Sequence, residues 1–371
     1  MILVNEPKLD GNEKKYVDEC IETGWISSEG PFVQKFENDF AQYIGHTNGI
    51  ATCNGTASLE VALYAAGIKE GEEVILPSFT IISCVAAILR LKAVPVLVDC
   101  DPDTWCMDVT QIESKITDKT KVIMPVHIYG HAVDMDPVME LAEKYNLVVI
   151  EDAAEVHGAE YKGRKLGSIG HLSSFSFYPN KLITTGEGGM VLTSDSEMAQ
   201  RAKSYRNLCF KPEERFLHDE LGYNFRMTNV QAAIGLAQLE RIDQVVEFKR
   251  EMGEYYISQL REIPGIKTQI ERDWAKQVYW MYCIELDPSL GIDAKYVMEK
   301  LRERKIGTRP FFRGMHDQPV FEKMGLFKDE KYPVTDHAYK YGLYLPSGMT
   351  ITKEQIDIVV KNLKEVLASR N

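Results

Sequence analysis

Between about residue 50 and residue 195, short uninterrupted apolar runs alternate with stretches whose apolar positions recur at helical spacing. The runs Val74–Pro77, Pro95–Asp99, Val122–Val126, Leu147–Ile150, Ser174–Phe177 and Met190–Thr193 are predicted strands. Helical patterns such as Ala57–Ala66, Cys84–Leu91 and Pro137–Lys144 lie between them. Continuous Val/Ile/Leu strands separated by helices predict an α/β fold, with a mostly parallel sheet covered on both faces. A long helical pattern follows from Asn229 to Leu260, with Val230, Ile234, Leu236, Leu239 and Ile242 at helical spacing. The pair Pro264-Gly265 then marks a boundary. Beyond it the reading changes to a strand over Val278–Leu286, a helix over Ala294–Arg304, a strand over Gly307–Phe312 and a closing helix over Lys353–Leu367. The expected organisation is a large α/β domain over residues 1–262, including the N-terminal segment, and a smaller α+β domain over 263–371.

Composition narrows the partners. No apolar run is long enough to cross a bilayer or to form a signal-peptide core, so a cytoplasmic protein without a membrane partner is expected. Seven cysteines (Cys20, Cys53, Cys84, Cys100, Cys106, Cys209 and Cys283) are scattered without a CxxC pair, which argues against a disulfide framework and against a metal site. A formal net charge of −12, free of like-charge blocks, repels nucleic acid and anionic lipid. It does not exclude a small anionic substrate, because a few local cations and backbone N–H groups outweigh the global field at close range.

Three segments at predicted strand ends carry candidate chemistry, since open α/β sheets bind ligands there. Cys53-Asn54-Gly55-Thr56-Ala57 precedes a helix, whose N-terminal N–H groups suit an anion; the same residues read equally well as a turn with an N-cap. Glu151-Asp152-Ala153-Ala154-Glu155 closes an apolar strand, where a buried acid is costly unless it meets a cation or ligand. The alternative there is an N-cap by Asp152. Lys181 ends Ser174-Phe-Ser-Phe-Tyr-Pro-Asn-Lys181 and is followed by Thr184-Thr-Gly-Glu-Gly-Gly189. Burial lowers a lysine's pKa and makes it a Schiff-base former, whereas a solvated loop lysine is the plain alternative.

Taken together, these segments resemble the DegT/StrS-type nucleotide-sugar aminotransferases, a branch of the fold-type I pyridoxal-5′-phosphate (PLP) enzymes. The resemblance spans nearly the whole chain through Trp25-Ile-Ser-Ser-Glu-Gly30, Asn54-Gly-Thr56, Pro125-Val-His-Ile-Tyr-Gly130, Glu151-Asp-Ala-Ala-Glu155, Ser176-Phe-Tyr-Pro-Asn-Lys181, Thr185-Gly-Glu-Gly-Gly189 and Gly222-Tyr-Asn-Phe-Arg-Met-Thr228. It implies that Lys181 carries PLP and shuttles a proton, and that Asp152 keeps the pyridine nitrogen protonated. It places Glu155 beside the ring hydroxyl, and Gly55, Thr56 and Ser176 around the phosphate. Asn224 falls where the family reaches the phosphate of a second copy, implying a homodimer with shared sites. The implied partners are glutamate, which leaves its amine as pyridoxamine 5′-phosphate, and a nucleotide-linked keto-sugar. The details most resemble members that aminate GDP-4-keto-6-deoxymannose for surface polysaccharides such as O-antigen; dTDP- or UDP-linked keto-sugars are the alternative.

Three departures bear on the substrate side. Ile81 occupies the place where relatives stack an aromatic on the cofactor, with Phe79 two residues earlier. Arg313 stands where a His or Tyr is more usual, and Tyr178-Pro179 replaces an expected Phe-Gly. Candidate sugar or diphosphate contacts are Trp25, Ser27, Ser28, His127, Tyr129, Arg313 and His316, each with a packing or surface-loop alternative. A PLP sugar dehydratase would replace Lys181, and a nicotinamide oxidoreductase needs a GxGxxG fingerprint that is missing here. A non-catalytic regulator would need an effector module, and the sequence offers none.

Overall fold

The computed structural model describes residues 1–211 and 213–369. A seven-stranded sheet runs in the spatial order Asn48–Thr52, Gly189–Thr193, Leu172–Ser176, Val148–Asp152, Thr120–Ile123, Glu73–Pro77, Val94–Val98. Gly189–Thr193 is antiparallel to both its neighbours, and the other four pairings are parallel. The α/β reading therefore holds. The strand Asn48–Thr52 lacks an apolar run of its own and is buried through its place in the sheet.

Several boundaries differ from the periodicity. Val148–Asp152 extends two residues past the apolar run, so Glu151 and Asp152 are strand residues in register with Ser173 and Ser174. Asn229–Leu260 is two helices, Asn229–Leu239 and Ile242–Leu260, the first opened by a capping box between Thr228 and Gln231. In the C-terminal part the strand starts only at Tyr282, because Tyr279 takes a φ of 45° that no strand accommodates. The stretch Gly307–Phe312 contributes only Arg309–Pro310 to the ladder.

Two apolar clusters organise the chain. The first fills both faces of the large sheet, and the second lies between the four-stranded sheet Ile266–Thr268, Tyr282–Leu286, Gly342–Leu345, Arg309–Pro310 and the helices Ala294–Glu303 and Lys353–Ala368. The helix Ile242–Leu260 joins them, giving Val245 and Val246 to the first and Met252, Tyr256 and Leu260 to the second. The N-terminal segment runs along the small sheet, bridging Ile2 to Ile306 and accepting the Ser347 N–H at Val4.

Neighbouring strand residues point to opposite faces, and at Glu151 and Asp152 this separates two acids. Glu151 is fully enclosed, yet each oxygen is satisfied: Oε1 accepts N–H bonds from Ile169 (2.7 Å) and Gly170 (2.6 Å), and Oε2 from Gly167 (2.8 Å). His127 Nε2 completes the set at 3.0 Å. Because His127 Nδ1 accepts the Val133 N–H at 3.1 Å, the ring proton sits on Nε2 and is donated to Glu151. Burial pushes Glu151 upward, but the His127 and backbone hydrogen bonds outweigh it and hold the carboxyl below its usual range. Its stabilisation is therefore present at neutral pH and is lost as acid carries it through that lowered pKa. Replacing Glu151 by Ala strands three buried N–H groups, so urea unfolding of the apoprotein should show a loss of about 3–5 kcal/mol. Glu151→Gln, which keeps acceptor capacity, should lose less.

Candidate active site

A cavity of about 360 Å³ opens at the carboxyl ends of the parallel strands and is closed on one side by the small sheet. Gly55, Thr56, Asp152, Glu155, Ser176 and Lys181 all line it. Asn54 caps the helix Gly55–Ala65 through the Ala57 N–H at 2.9 Å, so the N-cap reading is correct. The N–H groups of Gly55 and Thr56, in the first helical turn, have no partner within the helix and face the cavity end. A Cβ on Gly55 would lie 2.7 Å from Ser176 Cβ, so only glycine lets this helix end close on Ser176. Helix N-terminus and serine together form a small cradle suited to an anion.

Deeper in the cavity sit one amine and two acids. Lys181 Nζ lies 3.6 Å from Glu155 Oε1 and 3.7 Å from the centre of the Trp280 ring. Glu155 Oε2 accepts the Tyr129 N–H at 2.7 Å. Asp152, 3% exposed, accepts the Ala154 N–H on Oδ1 and the Cys84 S–H on Oδ2, both at 3.1 Å. Burial pushes the Lys181 amine below its ordinary pKa, while Glu155 and Asp152 pull it partly back. Burial also pushes Glu155 above the usual carboxylate range, against the pull of Lys181. Burial thus works against the charge on both groups, and each partly restores the charge of the other.

The other sequence candidates lie elsewhere. His127 is enclosed behind the strand with Glu151, so it is a structural ligand of that carboxylate and does not line the cavity. Tyr129 is also buried and outside the lining; it serves the site through its backbone N–H, while its hydroxyl accepts from Phe312 N–H at 3.2 Å. Arg313 is paired with Asp317 at 2.7 Å. His316 is held between Ser78 at 2.8 Å and Asp336 at 3.0 Å, and neither residue is part of the cavity lining. Trp25, Ser27 and Ser28 form a surface turn, where Asn229 holds the Trp25 and Ser27 carbonyls. Asn224 is exposed and outside its own chain's cavity.

Ile81 lines the cavity, whereas Phe79 is buried against Tyr129, Phe311 and Phe312. The wall at this place is aliphatic. Cys84, Trp280, Phe312 and Tyr344 were not singled out from the sequence. Trp280, Phe312 and Tyr344 reach the cavity from the C-terminal part of the chain, about 100 residues or more beyond Lys181, and such contacts leave no local signal. Trp280 is fixed by Nε1–H donation to Asn180 O at 2.7 Å, and its carbonyl accepts from the buried Lys249 amine at 3.0 Å.

A mostly parallel sheet with an amine, two carboxylates and a helix N-terminus gathered at its carboxyl end is the architecture of fold-type I PLP transferases. The chain belongs to the DegT/DnrJ/EryC1/StrS aminotransferase family, whose profile matches residues 7–364. Its relatives include the GDP-perosamine synthase of Caulobacter vibrioides, 42% identical over 99% of this chain and 98% of that protein. The GDP-perosamine synthase of Escherichia coli O157:H7 is 40% identical over 100% and 99%. Among solved structures, the aminotransferase TlmJ of Streptoalloteichus hindustanus superposes with a TM-score of 0.92 at 26% identity, covering 100% of this chain and 99% of that one. Aminotransferases of this family use PLP, and the chain is a PLP-dependent aminotransferase. The cavity fits that group: it offers a buried amine, a carboxylate for a ring nitrogen and a cradle that a Cβ at Gly55 would fill.

The Lys181–Glu155 coupling makes a measurable statement. Glu155 raises the Lys181 pKa, so Glu155→Gln should move half-protonation of Lys181 to lower pH. Amine-reagent labelling of the apoprotein across pH, read at the Lys181 peptide by mass spectrometry, checks this; an unmoved inflection would show the two groups uncoupled.

Proposed function

We propose that the enzyme transfers the amino group of glutamate to a nucleotide-linked keto-sugar, with GDP-4-keto-6-deoxymannose as acceptor and GDP-perosamine as product. The observation that carries the reading is the convergence of Lys181, Asp152, Glu155 and the Gly55 helix end on one cavity. The acceptor rests on relatives that bear the name GDP-perosamine synthase and match end to end.

When bound, PLP supplies an electron sink through which an amino group leaves one carbon and joins another. Lys181 Nζ would anchor the cofactor covalently, and its amine, which burial takes below its ordinary pKa, would serve as the proton carrier at the reacting carbon. Asp152 would be the partner of the ring nitrogen and Glu155 that of the ring hydroxyl, and the helix end at Gly55 and Thr56 with Ser176 would hold the phosphate. Ile81 and Trp280 form apolar walls that limit water at the reacting carbons. The reading includes a cytoplasmic homodimer in which Asn224 of each copy serves the other copy's phosphate cradle, and a product used in surface polysaccharide.

Mass spectrometry of the holoenzyme with glutamate and a panel of GDP-, dTDP- and UDP-linked keto-sugars tests the substrate. An amino sugar is expected from GDP-4-keto-6-deoxymannose; product from another nucleotide alone would overturn the acceptor and keep the reaction. Lys181→Ala should keep its circular dichroism spectrum and lose at least about a thousandfold in turnover, since the proton carrier and the covalent anchor go together. Near-normal turnover in that variant would remove Lys181 from the mechanism.

A further inference from the structure

Asp152 is held by more than its own strand. Its Oδ1 is fixed by the Ala154 N–H, and its Oδ2 lies 3.1 Å from the thiol of Cys84 on the helix Ile82–Arg90. Cys84 is wholly buried, and Thr80 Oγ1 lies 3.2 Å from its sulfur. A carboxylate oxygen can only accept, so the thiol donates to Asp152; the sulfur is then free to accept from the Thr80 hydroxyl. Three buried groups thereby form a directed chain: Thr80 O–H to Cys84 sulfur, Cys84 S–H to Asp152. The chain begins on the turn whose next residue, Ile81, forms the cavity wall.

We propose that Cys84 is a positioning residue, whose buried S–H fixes the plane of the Asp152 carboxylate so that it meets the ring nitrogen of the cofactor. The inference rests on the reading that Asp152 faces that nitrogen. Burial and the neighbouring Asp152 push the thiol well above its ordinary pKa, so the donor keeps its proton throughout the working range. A thiol is a weak donor, so it orients the carboxylate while withdrawing little of the negative charge needed to hold the ring proton. Each carboxylate oxygen spends one acceptor position on the protein and retains another for the cavity. Without the thiol, only the Ala154 N–H restrains the group, and rotation about χ2 becomes cheap.

The test compares Cys84→Ala, Cys84→Ser and Asp152→Asn. Apoprotein titrated with PLP, followed by quenching of tryptophan fluorescence, gives the cofactor dissociation constant; the visible absorption band of the loaded protein is titrated against pH. Cys84→Ala is expected to raise the dissociation constant about tenfold and to move the midpoint of the band's titration. Cys84→Ser, which keeps a donor of similar reach, should return both to within about twofold of the parent. Both variants should unfold in urea close to the parent apoprotein. Equal weakening in Ala and Ser would assign Cys84 to packing and overturn the proposal, as would an Ala variant that behaves like the parent. Asp152→Asn separates the two levels: if it moves the band while Cys84→Ala does not, only the Cys84 inference fails. If Asp152→Asn leaves the band unmoved, the reading of Asp152 fails first.

Discussion

Enclosing an amine and two carboxylates in one cavity is the constraint on which the site depends. Each charge taken from water costs several kcal/mol, and mutual attraction offsets that only if the remaining hydrogen-bonding capacity is satisfied. Lys181 meets Glu155 and the face of Trp280, Glu155 meets the Tyr129 N–H, and Asp152 meets Ala154 and Cys84. These partners come from strand ends, from helix starts and, through Trp280, from the C-terminal part of the chain. The amine therefore takes its lowered pKa only when segments distant in the chain are packed around it.

Adjacent acids on one strand show how topology assigns chemistry. Glu151 and Asp152 are both buried acids, and sequence position alone does not separate their roles. The strand's alternation turns Glu151 into the backbone of residues 167–170 and toward His127, where it is fully used in holding structure. It turns Asp152 toward the cavity, where part of its capacity remains open. His127 follows the same logic: a histidine in a motif close to the site acts on the far face of the sheet.

The legible part of the fold was whatever a short chain segment settles by itself. Apolar runs marked six of the seven large-sheet strands, and the acid, glycine and lysine motifs marked six residues that share the cavity. Asn48–Thr52 was missed because its burial comes from neighbours rather than from its own side chains. The break between Leu239 and Ile242 was missed because helical spacing carries across it. Arg313 and His316, read as candidate substrate contacts from the resemblance of their segment, lie outside the cavity lining, with Arg313 Nε paired to Asp317 and His316 held by Ser78 and Asp336, contacts that the local sequence does not announce. Trp280 could not be read at all, since its role depends on Lys181 and Lys249, at large separations in the chain.

The junction between the segment around Tyr129 and the segment around Tyr279 explains why such distant residues meet so closely. Tyr129 and Tyr279 both adopt positive φ, 52° and 45°, a conformation that bulky residues avoid. Beside them Gly130 has a φ of 100°, and a Cβ there would lie 2.7 Å from the backbone nitrogens of Tyr279 and Trp280. The two segments are locked by Val278 N–H donation to the Gly130 carbonyl at 3.0 Å. Tyr129 delivers the N–H that anchors Glu155, and Trp280, next to Tyr279, delivers the ring that faces Lys181. Backbone strain persists only where surrounding packing over-determines it. Here it is concentrated in the two segments that anchor Glu155 and supply the Trp280 ring, so one strained junction brings the Lys181 amine both the carboxylate that raises its pKa and a ring that helps to bury it.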